Sequence, residues 1–320
     1  MNRENQQGTE RRLTPEERQI RIKQLKRKRR IRKAIVAIGF LLVLCVAVSP
    51  VLLLTVFKVK SFTVEGAGVY TNEEIISASG IVMGKNLLFA DLDEAAEKIE
   101  KLLPYTDEVK LTKKLPDGII IRYEATEKAF AIGMSNGLYA ITNGNLKVLE
   151  ISGKLPNDVA LIVGAVPYKA DVGEIAAFDV LQEGEKKDEF VDETLNLLLE
   201  ITGAITENKT EDIDLINVAD TSDIYLIYQG RIVLNLGNSS DLPSKLSLGN
   251  KVINSENTID PFQFGAIDLS IVTEAVFNPS DIKDVPEVMY YIENYAPEAS
   301  EEENAEDEGV NEPETDENDE

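Results

Sequence analysis

Twenty-four consecutive uncharged residues, Ala34 to Phe57, follow directly on a cluster of nine lysines and arginines. At a rise of about 1.5 Å per residue such a run reaches roughly 36 Å as a helix, enough to cross a hydrocarbon core of about 30 Å with some tilt. It predicts a membrane span, which divides the rest of the chain between two sides. The cations are Arg21, Lys23, Lys26, Arg27, Lys28, Arg29, Arg30, Arg32 and Lys33, and only Lys58 and Lys60 follow the run. Positive-inside bias therefore places residues 1–33 in the cytoplasm and everything after Lys58 outside, with Lys26, Arg27, Lys28, Arg29, Arg30, Arg32 and Lys33 as the orienting residues. A cleaved secretory signal has a shorter apolar core, of about 7 to 15 residues, and a small-residue cut site. The best cut site here, Ala47-Val48-Ser49, precedes Pro50, and Cys45 follows Leu44 rather than the small residue of a lipoprotein signal. An uncleaved anchor is expected, bent near Pro50, with Cys45 as an apolar filler.

Charge changes sign at this segment. Residues 1–33 carry 13 basic and 4 acidic residues, net +9, and the remainder is net −33. A basic cluster beside a span is drawn to anionic lipid headgroups by about 1 kcal/mol per cation, whereas an acidic exported domain repels nucleic acid. Thr14-Pro15-Glu16-Glu17 reads as a capped helix start that can run on into the span. From Glu298 to Glu320 there are 13 acids and no bases, a composition that cannot offset its own ordering entropy, and residues 286–320 are read as a disordered acidic tail. With one cysteine in the chain, no intramolecular disulfide can form.

About 240 residues then remain for folded structure, enough for two domains. Val59, Phe62 and Val64 lead to Gly66-Ala67-Gly68 as a strand and turn. Thr71, with Glu73 and Glu74 behind it, caps a short helix closing near Gly80. Asp91 opens a second helix whose apolar positions Leu92, Ala95, Ala96, Ile99, Leu102 and Leu103 keep the 3.6 period until Pro104. Val109 and Leu111, the Pro116-Asp117-Gly118 turn, and Ile119, Ile121 and Tyr123 form a hairpin. The order is strand, helix, helix, strand, strand.

This ordered set (Val59-x-x-Phe62-x-Val64-x-Gly66, Gly80, Leu87-Leu88, Leu103-Pro104-Tyr105, Leu115-Pro116-Asp117) resembles the POTRA module of the FtsQ/DivIB cell-division proteins. A basic tail, one span, a POTRA and a larger β domain is also that family's order of parts, so the resemblance covers roughly residues 20 to 280. The fold class expected is α+β: tail 1–33, span 34–57, POTRA 58–125, β domain 126–285 and tail 286–320. Two departures stand out. Glu124 to Lys128 lacks the family's usual proline, and Ser270 replaces a basic residue after Ile267-Asp268-Leu269. Within the β domain, Asn143-Gly144 signals a hairpin and the start of a meander. Glu189 to Ile201 is read as a helix ending near Gly203. Ile213–Val218, Ile224–Tyr228 and Ile232–Leu236 are read as strands, Pro243–Ile253 as a helix, and Gly265–Val276 as a last pair of strand-like runs.

The chain contains no histidine, which removes Ser-His-Asp, Cys-His and histidine-zinc chemistry. Ser280-x-x-Lys283 has the spacing of a lysine-activated serine but lacks a Lys-Thr-Gly partner. Asp212/Asp214 and Asp171/Glu174 are carboxylate pairs of a kind that arises by chance among 57 acids. No enzyme, cofactor or metal is therefore expected, and edge strands, which offer unpaired backbone groups, become the candidate binding feature. The resemblance implies that a partner segment joins the last strands of the β domain, at Leu269, Ile271, Val272, Val276 and Phe277, with Ile271, Val272 and Phe277 favoured for contact and Leu269 and Val276 equally readable as core. It also implies FtsL-like and FtsB/DivIC-like bitopic coiled-coil partners, a septal peptidoglycan synthase reached through them, and a location at the division septum. The rival readings are a POTRA-bearing assembly or secretion factor, which usually has several POTRA units or a β-barrel, and an anchored cell-wall enzyme.

Overall fold

The computed structural model describes residues 15–180, 191–255, 259–271 and 273–296. Its first element, α1 (Pro15–Thr55), carries both the basic cluster and the apolar run on one helix. Among the described residues it is the only helix long and apolar enough to cross a membrane, and the side chains from Ile31 to Val48 are all exposed. No protein core buries this face. Residues 31–48 thus have the surface that a bilayer, and not a soluble interior, would cover.

Contacts divide the chain into two compact units, one of residues up to 65, 80–95 and 111–121, the other of 66–79, 96–110 and everything from 122 onward. The small module has the expected order: β1 (Ser61–Glu65), α2 (Asn72–Ala78), α3 (Leu92–Leu102), β2 (Thr106–Lys114) and β3 (Gly118–Ala125), its sheet ordered β1-β3-β2. The Thr71 hydroxyl accepts from the Glu74 N–H at 3.3 Å, and the Glu74 carboxylate accepts the Thr71 N–H at 2.8 Å. This capping box satisfies two donors that the first helical turn leaves without partners. The periodic apolar positions Ile75, Ala78, Ala95, Ile99, Val109, Ile119, Ile121 and Tyr123 are buried, each large one stabilising by about 1.5–3 kcal/mol. Gly66 is dictated by close approach: a Cβ there would lie 2.6 Å from the Tyr123 ring.

The larger domain is built on one nine-stranded sheet. Its elements are β4 (Phe130–Gly133), β5 (Tyr139–Thr142), β6 (Val148–Ser152), β7 (Ala160–Val163), α4 (Glu193–Asn208), β8 (Ile213–Asn217), β9 (Ile224–Tyr228), β10 (Ile232–Gly237), α5 (Leu242–Ile253), β11 (Phe264–Asp268), β12 (Phe277–Ser280) and α6 (Pro286–Asn294). The strand order is β12-β11-β10-β9-β8-β7-β4-β5-β6. Two antiparallel meanders, β4–β6 and β8–β10, flank β7, which is parallel to both β4 and β8, and β10–β11 is also parallel. Parallel neighbours need crossovers: α4 supplies that of β7–β8 and α5 that of β10–β11, while β4 reaches β7 through β5 and β6. Leu198, Ile201 and Ile205 of α4 and Leu242 and Leu246 of α5 bury against Ile162, Ile216, Leu226, Leu234 and Ile267. The opposite face packs Ala131, Ile141, Leu161, Leu215 and Ile227 with Tyr291, and Val233 with Val288. Adjacent Leu226 and Ile227 thus serve opposite faces, as the period of two demands.

Three expectations need correction. The helix expected at Glu189–Ile201 begins at Glu193, capped by the Asp192 carboxylate accepting from Leu195 N–H at 2.8 Å, and passes through Gly203 to Asn208; residues 189–190 lie outside the described residues. Burial of Ala204 and Ile205 outweighs the cost of about 1 kcal/mol for a helical glycine. The described residues between 269 and 276 form no strand: Asp268 caps a turn, its Oδ1 accepting from the Ser270 N–H (2.9 Å) and hydroxyl (2.6 Å), and the final strand starts only at Phe277. The tail does not begin at 286. Pro286–Asn294 is helical because Val288 and Tyr291, three residues apart, find a hydrophobic sheet face to cover. The rest of the tail, 297–320, lies outside the described residues. The strand β7 was not foreseen, although its run Ala-Leu-Ile-Val has the continuous apolar character of a parallel strand buried on both faces.

Candidate interaction edge

An open sheet has two ends, and the backbone at each end has to be satisfied by something. At one end the start of β6 is covered. Val148 donates to the Glu174 carbonyl at 2.9 Å and accepts from the Gly173 N–H at 2.8 Å, while Ala176 donates to the Leu146 carbonyl at 3.0 Å. The covering segment is held by its own charges: the Glu174 carboxylate accepts from the ammonium groups of Lys101 and Lys169, which lower its pKa to about 2. On the strand itself Glu150 accepts from Lys128 (2.7 Å) and Tyr105 (3.0 Å), and these bonds, Lys128 first, hold its pKa down. Lys147, almost fully buried, donates to the Thr106 carbonyl at 2.7 Å, and burial pushes its pKa down.

At the other end β12 pairs with β11 and no strand lies beyond it among the described residues. The direction of its free groups follows from register. Gly265 donates its N–H to the Arg231 carbonyl at 3.2 Å, so it turns its polar groups to β10, away from β12. By antiparallel alternation, Ala266 opposite Asn278 and Phe264 opposite Ser280 are the bonded pairs, and Phe277 and Pro279 direct their backbone groups outward. Pro279 has no N–H. The free edge therefore offers one donor and two acceptors: Phe277 N–H, Phe277 C=O and Pro279 C=O. Beside it runs a cleft lined by Lys251, Val252, Asp260, Gln263, Val276 and Phe277.

The expected contact residues occupy four different situations. Leu269 is fully buried under α5, where a Cβ on Gly249 would come within 2.9 Å of its Cδ1. Ile271 is 67 % exposed in the bend after β11, and Val276 is 63 % exposed at the mouth of the cleft. Phe277 is half-buried, its ring lying over Gly265, so its backbone rather than its side chain is free. Val272 lies outside the described residues. Phe262, 88 % exposed in the turn that precedes β11, was missed; Asp260-Pro261 ahead of it is the sequence signal for that turn, with the Phe262 N–H donated to the Asp260 carboxylate at 2.8 Å. Of the orienting cations, Lys28, Arg32 and Lys33 are exposed on α1, and Lys26, Arg27, Arg29 and Arg30 lie along the same helix.

The residues weighed as catalytic are engaged in structural contacts. Lys283 pairs with Asp281 at 3.4 Å next to Ser280. Asp212 accepts from the Gln229 amide at 2.9 Å, and Asp214 accepts the Gly230 N–H at 2.6 Å, tying β8 to the β9–β10 turn. Burial raises the Asp214 pKa, and burial beside this carboxylate pushes the Tyr291 hydroxyl up to about 12. Among the described residues, no group of three or more cysteine or acidic side chains is placed to hold a metal.

Comparison with known proteins matches residues 57–123 to the POTRA domain, FtsQ-type. The chain is 26 % identical over 259 residues to Cell division protein DivIB of Clostridium botulinum (strain Hall), covering 80 % of this chain and 94 % of that protein. It is 26 % identical over 238 residues to Cell division protein DivIB of Clostridium acetobutylicum, covering 73 % and 88 %. Cell division protein FtsQ of Corynebacterium glutamicum is 27 % identical over 174 residues, 53 % of this chain and 67 % of that protein.

Proposed function

We propose that this chain, which belongs to the FtsQ/DivIB family of cell-division proteins, serves division as an anchored, non-catalytic scaffold whose working part is the β12 edge. In this reading residues 1–33 stay in the cytoplasm, held by their net charge of +9, and both folded domains stand outside the membrane at the septum. An FtsL-like or FtsB/DivIC-like bitopic protein adds a strand beyond β12, taking the backbone groups of Phe277 and Pro279 and laying apolar side chains on Ile271 and Val276. Through it the septal peptidoglycan synthase is drawn in. Two chains fixed at one membrane depth meet at high effective concentration, so a four-residue edge with three backbone bonds suffices.

The observation that carries the reading is the asymmetry of the sheet: a charged strap bonds the start of one edge strand, whereas the other edge leaves outward backbone groups beside exposed apolar residues. A photo-crosslinking residue placed in cells at Ile271, Val276 or Phe277 is expected to capture a small coiled-coil division protein, and one at Ile151 on β6 is expected to capture none. Capture from Ile151 alone would refute it.

A further inference from the structure

Just beyond the end of α1, the first compact unit gathers apolar side chains left largely exposed among the described residues. Phe89 is 80 % exposed and Met83 62 %, and Val82 and Leu115 are exposed as well. Their backbones are stitched to the first residues after the helix. Phe57, two positions past Thr55, accepts from the Leu87 N–H at 2.8 Å, and Val59 donates to Lys85 (2.9 Å) and accepts from Gly84 (2.8 Å). The β2–β3 turn is drawn to the same place, with the N–H groups of Lys60 and Ser61 donating to the Asp117 carbonyl at 2.8 and 3.3 Å and the Lys113 ammonium donating to the Leu88 carbonyl at 2.9 Å.

Five exposed lysines, 58, 60, 85, 113 and 114, interleave with these apolar groups in a chain that is otherwise strongly acidic beyond residue 33. Lys60 pairs with Asp117 at 3.1 Å, whereas Lys58, Lys85 and Lys114 hold no carboxylate among the described residues. The other acids of this unit's folded part are Glu65, at the end of β1, and Asp91, Asp93 and Glu94, which stand at the start of α3. A monomeric domain seldom leaves a phenylalanine so bare beside other large apolar groups without a surface to cover it.

We propose that Val82, Met83, Phe89 and Leu115 rest in the bilayer interface of the leaflet from which α1 emerges, with Lys58, Lys85 and Lys114 on anionic lipid headgroups. The covalent tether selects lipid over a protein partner: Leu87 is bonded to a residue two positions from the end of the helix, so the 82–89 loop is held within reach of the headgroups. Apolar side chains at the acyl boundary and lysines extended to phosphates are the usual division of labour at such a surface. The proposal rests on α1 as a span but not on its orientation.

The chain has no tryptophan, so Phe89→Trp supplies a single reporter, with Met83→Trp as a second. The full-length protein is placed in nanodiscs of phosphatidylglycerol, with and without bromine on the upper acyl carbons. A blue-shifted emission that brominated lipid lowers at least about two-fold is expected for a side chain at the acyl boundary. The combined Lys58→Gln, Lys85→Gln and Lys114→Gln change, or phosphatidylcholine in place of phosphatidylglycerol, should weaken the quenching. Water-like, unquenched emission from both reporters, with Cys45 protected from a water-soluble maleimide, overturns the surface while leaving the span standing. A labelled Cys45 overturns both.

Discussion

The two ends of the nine-stranded sheet solve the same problem in opposite ways. At the start of β6 the outward groups of Val148 are met by the 173–176 segment, whose Glu174 is clamped between two ammonium groups, and the side chains of Lys147 and Glu150 reach residues 106 and 105. At β12 the strand is four residues long, carries a proline and keeps its outward groups free. Short length and a proline are how natural edges discourage indiscriminate pairing. The contrast teaches that β12 is not an unfinished edge but a limited one, open to a partner that asks for three bonds and closed to a long strand.

The comparison breaks first at Gly265. A Cβ there would sit 2.4 Å from the Asn278 carbonyl and 2.7 Å from the Phe277 ring, so Gly265→Val should push β12 off the sheet. Partner capture should be lost, and urea denaturation should show a destabilisation of about 1–3 kcal/mol from overpacking. Capture at the unsubstituted level would remove β12 from the function. At the closed end, Lys147→Met keeps the aliphatic stem but leaves the buried Thr106 carbonyl without its donor, a loss of about 1–3 kcal/mol in the same measurement with partner capture unchanged. Val276→Asp puts a charge at the mouth of the cleft and should weaken partner binding about tenfold, near 1.4 kcal/mol, while thermal stability barely moves.

Acid should separate the ends by a smaller effect. Because Lys101 and Lys169 hold the Glu174 pKa at about 2, below its ordinary 4.5, the folded chain keeps this carboxylate charged where the unfolded chain protonates it. The strap's contribution is therefore complete above the ordinary value and is lost as pH falls through about 2. The stability advantage of the natural chain over Glu174→Gln should fade across that window in pH-dependent denaturation. Smallest of all, Pro279→Ala adds one outward donor to β12 and should raise partner affinity only a few-fold, by about 1 kcal/mol or less.

Legibility in the sequence followed the range of the interactions involved. The POTRA elements could be read because each is announced locally: the Thr71/Glu74 box, Pro104 behind α3, and the strict alternation of Ile119, Ile121 and Tyr123. β7 and the parallel pairing were not read, since a four-residue apolar run looks the same whether its neighbour is five or fifty residues away. α6 was absorbed into an acidic tail because its apolar residues gain their reason only from a sheet face made by residues 131 to 233. Among the expected contact residues, Ile271 and Val276 look like Leu269 in the sequence, and only the packing of α5 against Leu269 separates core from surface.

By itself the sequence determined the span, the sign of charge on either side of it, the order of the small module and the absence of histidine chemistry, because length, charge and short-range periodicity are properties that a segment carries alone. Tertiary structure decided which sheet end is strapped, which backbone groups of β12 face outward and which apolar residues stay bare. Those depend on strands paired across tens of residues, Leu161 with Leu215 among them, and a one-residue change of register would turn every one of those groups to the other side.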